Sequence, residues 1–437
     1  MNYKKVFCLL FFFLTFNVFP QNIIKPYEVA TWQGFKSGAI TFTFDDNTPN
    51  QISIVLPMFN EYGYKMTFFP VINWGPNWAA LQAAAQNGHE VGSHTVSHPG
   101  LNTLSTDQQT AEYKNSQDAI NAKVTAQKCL TIAYPNCVTG NVALLKQYFI
   151  AGRICSGTII PKNPSDFMNL SSFVCGSQSS IQRTSDFTAK FDAAASSNGW
   201  LVLLIHAIDS ESGYSPTSSA QLKGALDYIK TNDNKFWVST FGNVARYIKE
   251  RNSISISESV GLNNNITVKV TDTLDNSIYN VPLTIRRPIP DGWTAYELKQ
   301  NGSALSSQLI ESGGVKYITF DVVPDAGDII LSKSSATDIK QEKIGSVPSG
   351  FSLDQNYPNP FNPSTTISYS IKETGFVSLK VFDTLGKEVA TLVEQIKQPG
   401  IYFSKFSIQN SEIASGVYFY TLRAGNYFET KKMMLVK

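Results

Sequence analysis

Histidine is scarce in this chain. Its 437 residues hold four, His89, His94, His98 and His206, and none follows His206. Any imidazole chemistry is therefore confined to the first half. Charge is also sparse, at 16% against a usual ~25%. Neither sign dominates: Lys plus Arg is 36 and Asp plus Glu is 34, for a net charge of +2. That balance argues against a nucleic-acid binder, which normally shows a basic patch or stripe. No stretch beyond the N-terminus approaches the ~18 consecutive apolar residues of a membrane-spanning helix. The five cysteines form no C-x-x-C pair, which argues against a cysteine-based zinc site. Apolar residues make up 42%, enough to build sizeable cores and to exclude disorder throughout. The length exceeds one ordinary domain.

What is present begins with an export signal. Lys4 and Lys5 precede an almost wholly apolar run over residues 6–16, and polar sequence resumes at Gln21. The run is too short to span a membrane, so residues 1–21 read as a cleaved signal peptide. Cys8 falls inside it. Cys129, Cys137, Cys155 and Cys175 remain, an even number in an exported chain. Three connectivities exist. The short-range one, Cys129–Cys137 with Cys155–Cys175, is the expectation, and four buried thiols are the alternative.

Within a domain expected over residues 22–252, the region from about 37 to 252 alternates strand and helix signals. Strands are expected at 39–44, 65–71, 89–93, 130–134, 151–155, 200–205 and 236–239, with helices at 50–62, 78–87, 106–126, 143–149, 218–231 and 241–251. The run 200–205 is wholly apolar, as in a buried parallel strand. Repeated βα units imply a parallel barrel or a doubly wound sheet. Residues 253–335 carry short alternating strands and read as a β-sandwich. Residues 336–350 are a polar linker, and 351–437 form a second all-β unit.

Three pieces of chemistry fall at expected strand ends, where parallel βα folds place active sites. Asp45 and Asp46 close the first strand. His94 and His98 lie four apart in Ser93-His94-Thr95-Val96-Ser97-His98-Pro99, where proline favours a turn over a helix face. His206 follows the apolar strand. Two imidazoles and a carboxylate suit Zn²⁺ or a similar ion and leave coordination positions open. Both aspartates can serve one site only if the strand ends or twists there, because neighbours on a regular strand face opposite ways. His89 reads as structural.

Thr43-Phe44-Asp45-Asp46, His94 with His98, and Leu203-Leu204-Ile205-His206 resemble the polysaccharide deacetylases, the NodB-homology domains of carbohydrate esterase family 4. The resemblance covers residues 37–250. It implies a distorted (β/α) barrel and a metal-dependent hydrolase. It implies Asp45 as general base, Asp46, His94 and His98 as metal ligands, and His206 as general acid. The implied metal is zinc, with cobalt, nickel or manganese as alternatives. The family's Arg-x-Pro-Tyr-Gly motif departs here. Pro135 matches, but Ala133 stands for the arginine and Asn136 for the tyrosine. The Asn136 backbone N–H then becomes the oxyanion donor, and Arg153 becomes the candidate replacement cation. No acidic partner for His206 is evident; Asp192 and Asp209 are weak candidates. Trp74, Trp78 and Tyr134 are candidate substrate contacts, with plain packing as the alternative.

Asn356-Tyr357-Pro358-Asn359-Pro360-Phe361-Asn362-Pro363, Gly416-Val417-Tyr418-Phe419 and the terminal Lys431-Lys432-Met433-Met434-Leu435-Val436 resemble the C-terminal sorting domain of type IX secretion. That resemblance implies the type IX machinery as a partner and a secreted or outer-surface location. Together the two resemblances imply removal of N- or O-linked acetyl groups from an extracellular polysaccharide. The competing expectation is a catalytically impaired carbohydrate-binding surface protein on the same scaffold.

Overall fold

The computed structural model describes residues 22–23, 26–261, 264–334, 350–356, 359–362, 364–397, 400–407 and 414–436. The signal-peptide reading of residues 1–21 and nearly all of the expected linker lie outside them. The chain divides into two compact units, residues 1–339 and 340–437. Among the described residues no helix is long and apolar enough to cross a membrane.

The first unit opens with two short strands, β1 (Asn22–Ile23) and β2 (Glu28–Val29). Parallel strands follow: β3 (Gly38–Asp45), β4 (Thr67–Phe69), β5 (Glu90–Val91), β6 (Thr131–Ala133), β7 (Ala151–Arg153), β8 (Phe173–Val174), β9 (Trp200–Ile205) and β10 (Phe236–Val238). The main sheet runs β5-β4-β3-β9-β8, with β10 beside the first half of β3. β6 and β7 pair with each other. Parallel bridges from Ser93 to Ile132 and from Arg153 to Leu170 join that pair to the flanking segments. Seven helices cover the strands: α1 (Leu56–Tyr62), α2 (Trp78–Gln86), α3 (Thr106–Lys123), α4 (Val142–Leu145), α5 (Thr184–Ser196), α6 (Ser219–Thr231) and α7 (Phe241–Ser253).

β3 is buried along its whole length. Its alternating threonines are not a solvent face. Thr41 donates to the Ser239 carbonyl at 2.9 Å and Thr43 to the Leu203 carbonyl at 2.7 Å, so their hydroxyls are satisfied inside the core. Phe42 meets Phe59 edge-on at 5.0 Å, tying the strand to α1. The helix expected over 50–62 starts with a π-turn, Gln51–Val55, before α1. The expected helix over 143–149 shrinks to one turn. Strand β8 and helix α5 fill a stretch in which the sequence reading placed no element. Phe187, Phe191 and Ala194 are the inward face of α5.

The domain boundary differs from expectation in one respect. β1 pairs with strand Ser255–Val260, and β2 pairs with strand Leu283–Pro288. Residues 22–23 and 28–29 therefore belong to the β-sheets that follow the α/β part. One apolar cluster runs from Ala39, Trp200 and Phe241 into Ile256, Val268, Leu283 and Phe320. The β-region thus shares a core with the α/β part. It consists of a six-stranded and a four-stranded sheet.

In the second unit, a three-stranded and a four-stranded sheet share an apolar cluster that includes Ile367, Leu379, Tyr420 and Met433. Strand Gly416–Ala424 alternates buried and less buried residues, as expected of a sheet with one face covered.

Candidate active site

Asp45 is the last residue of β3. Asp46 and Asn47 then adopt left-handed φ values of 70° and 46°. The strand therefore ends in a sharp turn, which brings two adjacent carboxylates to one place. The Asn47 side chain accepts from Val71 N at 3.0 Å and so docks this turn on the loop after β4.

Asp45 is 2% exposed, and its Oδ2 pairs with the Arg153 guanidinium. Burial works against its ionisation. The opposing field of the Arg153 guanidinium prevails and holds the carboxyl below its ordinary value. Arg153 ends β7, so it reaches Asp45 from a different strand than position 133 would have. Ala133 ends β6 instead and turns its carbonyl to His94 Nδ1 at 2.8 Å.

That hydrogen bond leaves His94 Nε2 facing the aspartates, 3.6 Å from Asp46 Oδ1. His98 Nε2 lies 3.8 Å from the same oxygen. The ligand atoms of Asp46, His94 and His98 all fall within 4.8 Å of one another. The segment 94–98 is a turn, as its proline required. Thr95 and His98 have positive φ, and Glu112 of α3 accepts from Val96 N, Ser97 N and the Ser97 hydroxyl. Burial lowers the His94 pKa to about 4, so its ring is neutral and free to ligate. Burial and the Asp45 charge push Asp46 up to about 7. Its Oδ1 is buried with no hydrogen-bond partner among the described residues. Three converging donors, one of them an orphaned carboxylate oxygen, fit a divalent cation.

His206 directly follows β9. Burial lowers its pKa, and its buried Nδ1 has no hydrogen-bond partner. Tyr214 contacts the ring edge-on at 4.9 Å. Neither candidate acid reaches it. Asp192 accepts from the Tyr228 hydroxyl at 2.8 Å, and Asp209 accepts from Ser219 N at the start of α6. Asn136 lies just past β6 with φ 54°, in the loop beside the metal-ligand turn.

The aromatic candidates separate. Trp74 is 48% exposed and stacks on His98 at 5.1 Å. Backbone bonds from Ile72 N to Thr95 O and from Asn73 N to Val96 O fasten its loop to the histidine turn. Trp78 packs on the main core, and Tyr134 is 1% exposed with its hydroxyl on the Met168 carbonyl. Both pack against core residues. His89 is structural: its Nδ1 accepts from Met66 N, and Nε2 meets Asn60 at 2.9 Å.

The expected cysteine pairing is corrected. Cys137 bonds Cys155, with Cα atoms 5.6 Å apart, while Cys129 and Cys175 are buried thiols. β6 and β7 are neighbours in parallel, so the loops leaving their C-terminal ends lie side by side. Cys129 precedes β6 and Cys175 follows β8, both inside the main core. Sequence proximity ranked the pairs wrongly because strand adjacency decides them.

The sequence reading missed Gln51 and Glu211. Gln51 is 1% exposed and bonds to the carbonyls of Asp45 and His206. A lone glutamine a few residues after a strand carries no pattern that would mark it.

Residues 33–147 match the family model for polysaccharide deacetylase, and residues 355–437 match that for the secretion system C-terminal sorting domain. A gellan lyase from Bacillus sp is 29% identical over 338 residues, covering 71% of this chain and 13% of that protein. A chitin deacetylase from Colletotrichum lindemuthianum is 30% identical over 22% of this chain and 40% of its own length. The chain thus spans well under half the length of these relatives. Among solved structures, the Xyl-CE4 domain of a multidomain xylanase from the hindgut metagenome of Trinervitermes trinervoides aligns with a TM-score of 0.34 at 19% identity. That alignment covers 47% of this chain and 89% of the other.

Proposed function

We propose that this chain, which carries a polysaccharide deacetylase domain and a type IX secretion sorting domain, is a metal-dependent enzyme that removes acetyl groups from an extracellular polysaccharide. The sorting domain directs it to the cell surface or the outside. The observation that carries the reading is the convergence of the Asp46, His94 and His98 ligand atoms within 4.8 Å, beside the Asp45–Arg153 pair. The strand pairings support reading the α/β part as a distorted (β/α) barrel, and the two all-β regions as Ig-like sandwiches.

In this reading Asp46, His94 and His98 hold the metal, zinc first among the choices. A bound divalent ion polarises the acetyl carbonyl and acidifies water. Asp45, kept ionised by Arg153, accepts the proton of the attacking water. The Asn136 N–H donates to the oxygen on which negative charge develops. His206 delivers a proton to the departing amine or alkoxide. Trp74 offers an exposed aromatic face to a sugar ring beside His98. The buried Arg153 weighs against the impaired-enzyme reading, since the cation missing at position 133 is supplied from β7.

The test is acetate release by the full secreted chain with added Zn²⁺ or Co²⁺. Acetylated xylan and an N-acetylglucosamine oligomer serve as substrates. Asp45→Asn and His94→Ala are the controls. Acetate from wild type alone supports the reading and names the bond class. Glycan binding with neither metal uptake nor acetate overturns it.

A further inference from the structure

The ladder between β3 and β9 stops one residue short of the chemistry. Its last pair is Phe44 with Ile205. The next rung would join Asp45 and His206, the proposed base and acid. That rung is made by a side chain instead. Gln51 Nε2 donates to the carbonyl of Asp45 and, at 3.0 Å, to that of His206. Two acceptors facing one amide nitrogen fix which end of the amide points at them. Gln51 is 1% exposed, so these bonds do not compete with water.

A second tie lies farther out on the same two loops. Glu211, on the loop after β9, accepts from the Thr48 hydroxyl at 2.7 Å and from Asn50 N at 2.9 Å, both on the loop after β3. It also accepts from Ile208 N on its own loop at 2.7 Å. Asn50 returns a bond to the Ile208 carbonyl at 3.2 Å. Among the described residues no hydrogen-bond partner meets His206 Nδ1.

We propose that Gln51, backed by Glu211, is a positioning residue that sets the spacing between Asp45 and His206 by clasping their backbones. The clasp acts on His206 through the main chain. This rests on the deacetylase reading for the roles of Asp45 and His206. A shift of about 1 Å between reacting groups is worth ~100-fold in rate.

The experiment compares the full chain with Gln51→Met, Gln51→Glu and Glu211→Gln on whichever acetylated substrate the wild type cleaves. Methionine fills the same space without a donor, and glutamate turns an acceptor towards two carbonyls. The clasp predicts kcat lowered 10- to 100-fold by Gln51→Met and more by Gln51→Glu, with KM within twofold and zinc stoichiometry unchanged. In the Glu211→Gln background, Gln51→Met should cost less than it does alone, because the two act together. Activity within twofold for Gln51→Met, or zinc loss in step with activity, overturns the proposal. The first outcome would make Gln51 a space-filler, and the second would make it a prop for Asp46. Hydrogen exchange tests the clasp without turnover. Gln51→Met should speed exchange over 46–51 and 204–211 and nowhere else, and unchanged exchange there overturns it. A wild type that releases no acetate sinks the deacetylase reading, and the exchange result still decides the clasp.

Discussion

Arg153, the last residue of β7, is ion-paired inside the protein with Asp45, the last residue of β3. Both are 2% exposed. Removing one partner of a buried pair leaves the other charge stranded, at a cost of ~3–5 kcal/mol. Arg153→Met should therefore lower the melting temperature. It should also lower kcat by about 100-fold, because Asp45 loses the cation that keeps it ionised. Arg153→Lys should recover part of both losses, since a lysine keeps the charge but not the planar guanidinium that lies over the Phe69 ring at 5.4 Å. Acetate release within threefold of wild type in Arg153→Met would remove Arg153 from the mechanism.

The triad Asp46, His94 and His98 brings together three donors that do not bond one another. A cation bound there stabilises the folded chain by mass action, by about 2.7 kcal/mol at a concentration 100 times Kd. Thermal melts should rise with added Zn²⁺ and fall with a chelator, and His98→Ala should abolish the rise. A melting curve indifferent to Zn²⁺ in the wild type would contradict the ligand assignment.

The site's chemistry was legible because each group ends a strand with its own signature: the Thr-Phe-Asp-Asp run, the His-x-x-x-His turn and the apolar strand before His206. Long-range geometry was less legible. The match of Arg153 to Asp45 spans 108 positions, and Arg153 stood out in the sequence only as a candidate for the cation that position 133 lacks. The boundary at residue 22 failed for a related reason. Two two-residue strands have too little pattern to reveal that they pair with sheets more than 200 residues later. The cysteine pairing failed because separation along the chain is a poor guide once parallel strands lie side by side.

The observed pairing makes a chemical prediction. Mature, unreduced protein should show no reactive thiol when folded and two when denatured, Cys129 and Cys175. Burial raises both thiol pKa values, which further suppresses their reaction in the native state. Cys137→Ser should expose one additional thiol and cost on the order of 3 kcal/mol for a loop of 18 residues. A peptide map linking Cys129 to Cys137 would refute the pairing.

The shared apolar cluster predicts how the first unit unfolds. Trp200 and Phe241 pack in one core with Ile256 and Leu283, and Glu250 of α7 accepts from Val281 N at 3.0 Å. Cutting at residue 252 exposes that core and removes the partners of β1 and β2. A chain of residues 22–252 should aggregate or melt far below one of 22–339, which should unfold in a single transition. Two separated calorimetric transitions within 22–339 would show independent domains.

His89 gives a pH dependence whose sign follows from its burial. Its ring sits between Met66 and Asn60, and burial lowers its pKa from 6.5 to about 4. The unfolded chain therefore binds this proton more readily than the folded one. The stabilisation from the neutral ring is complete above pH 6.5 and is lost as pH falls towards 4. Over that window the wild type should lose on the order of 2 kcal/mol more than His89→Gln, which has no proton to gain. Other buried histidines titrate in both proteins and cancel in the difference. The measurement is urea unfolding of both chains at pH 7.5 and pH 4.5. Parallel losses would mean that His89 is protonated in the native state and that its environment is not the apolar, hydrogen-bonded one described.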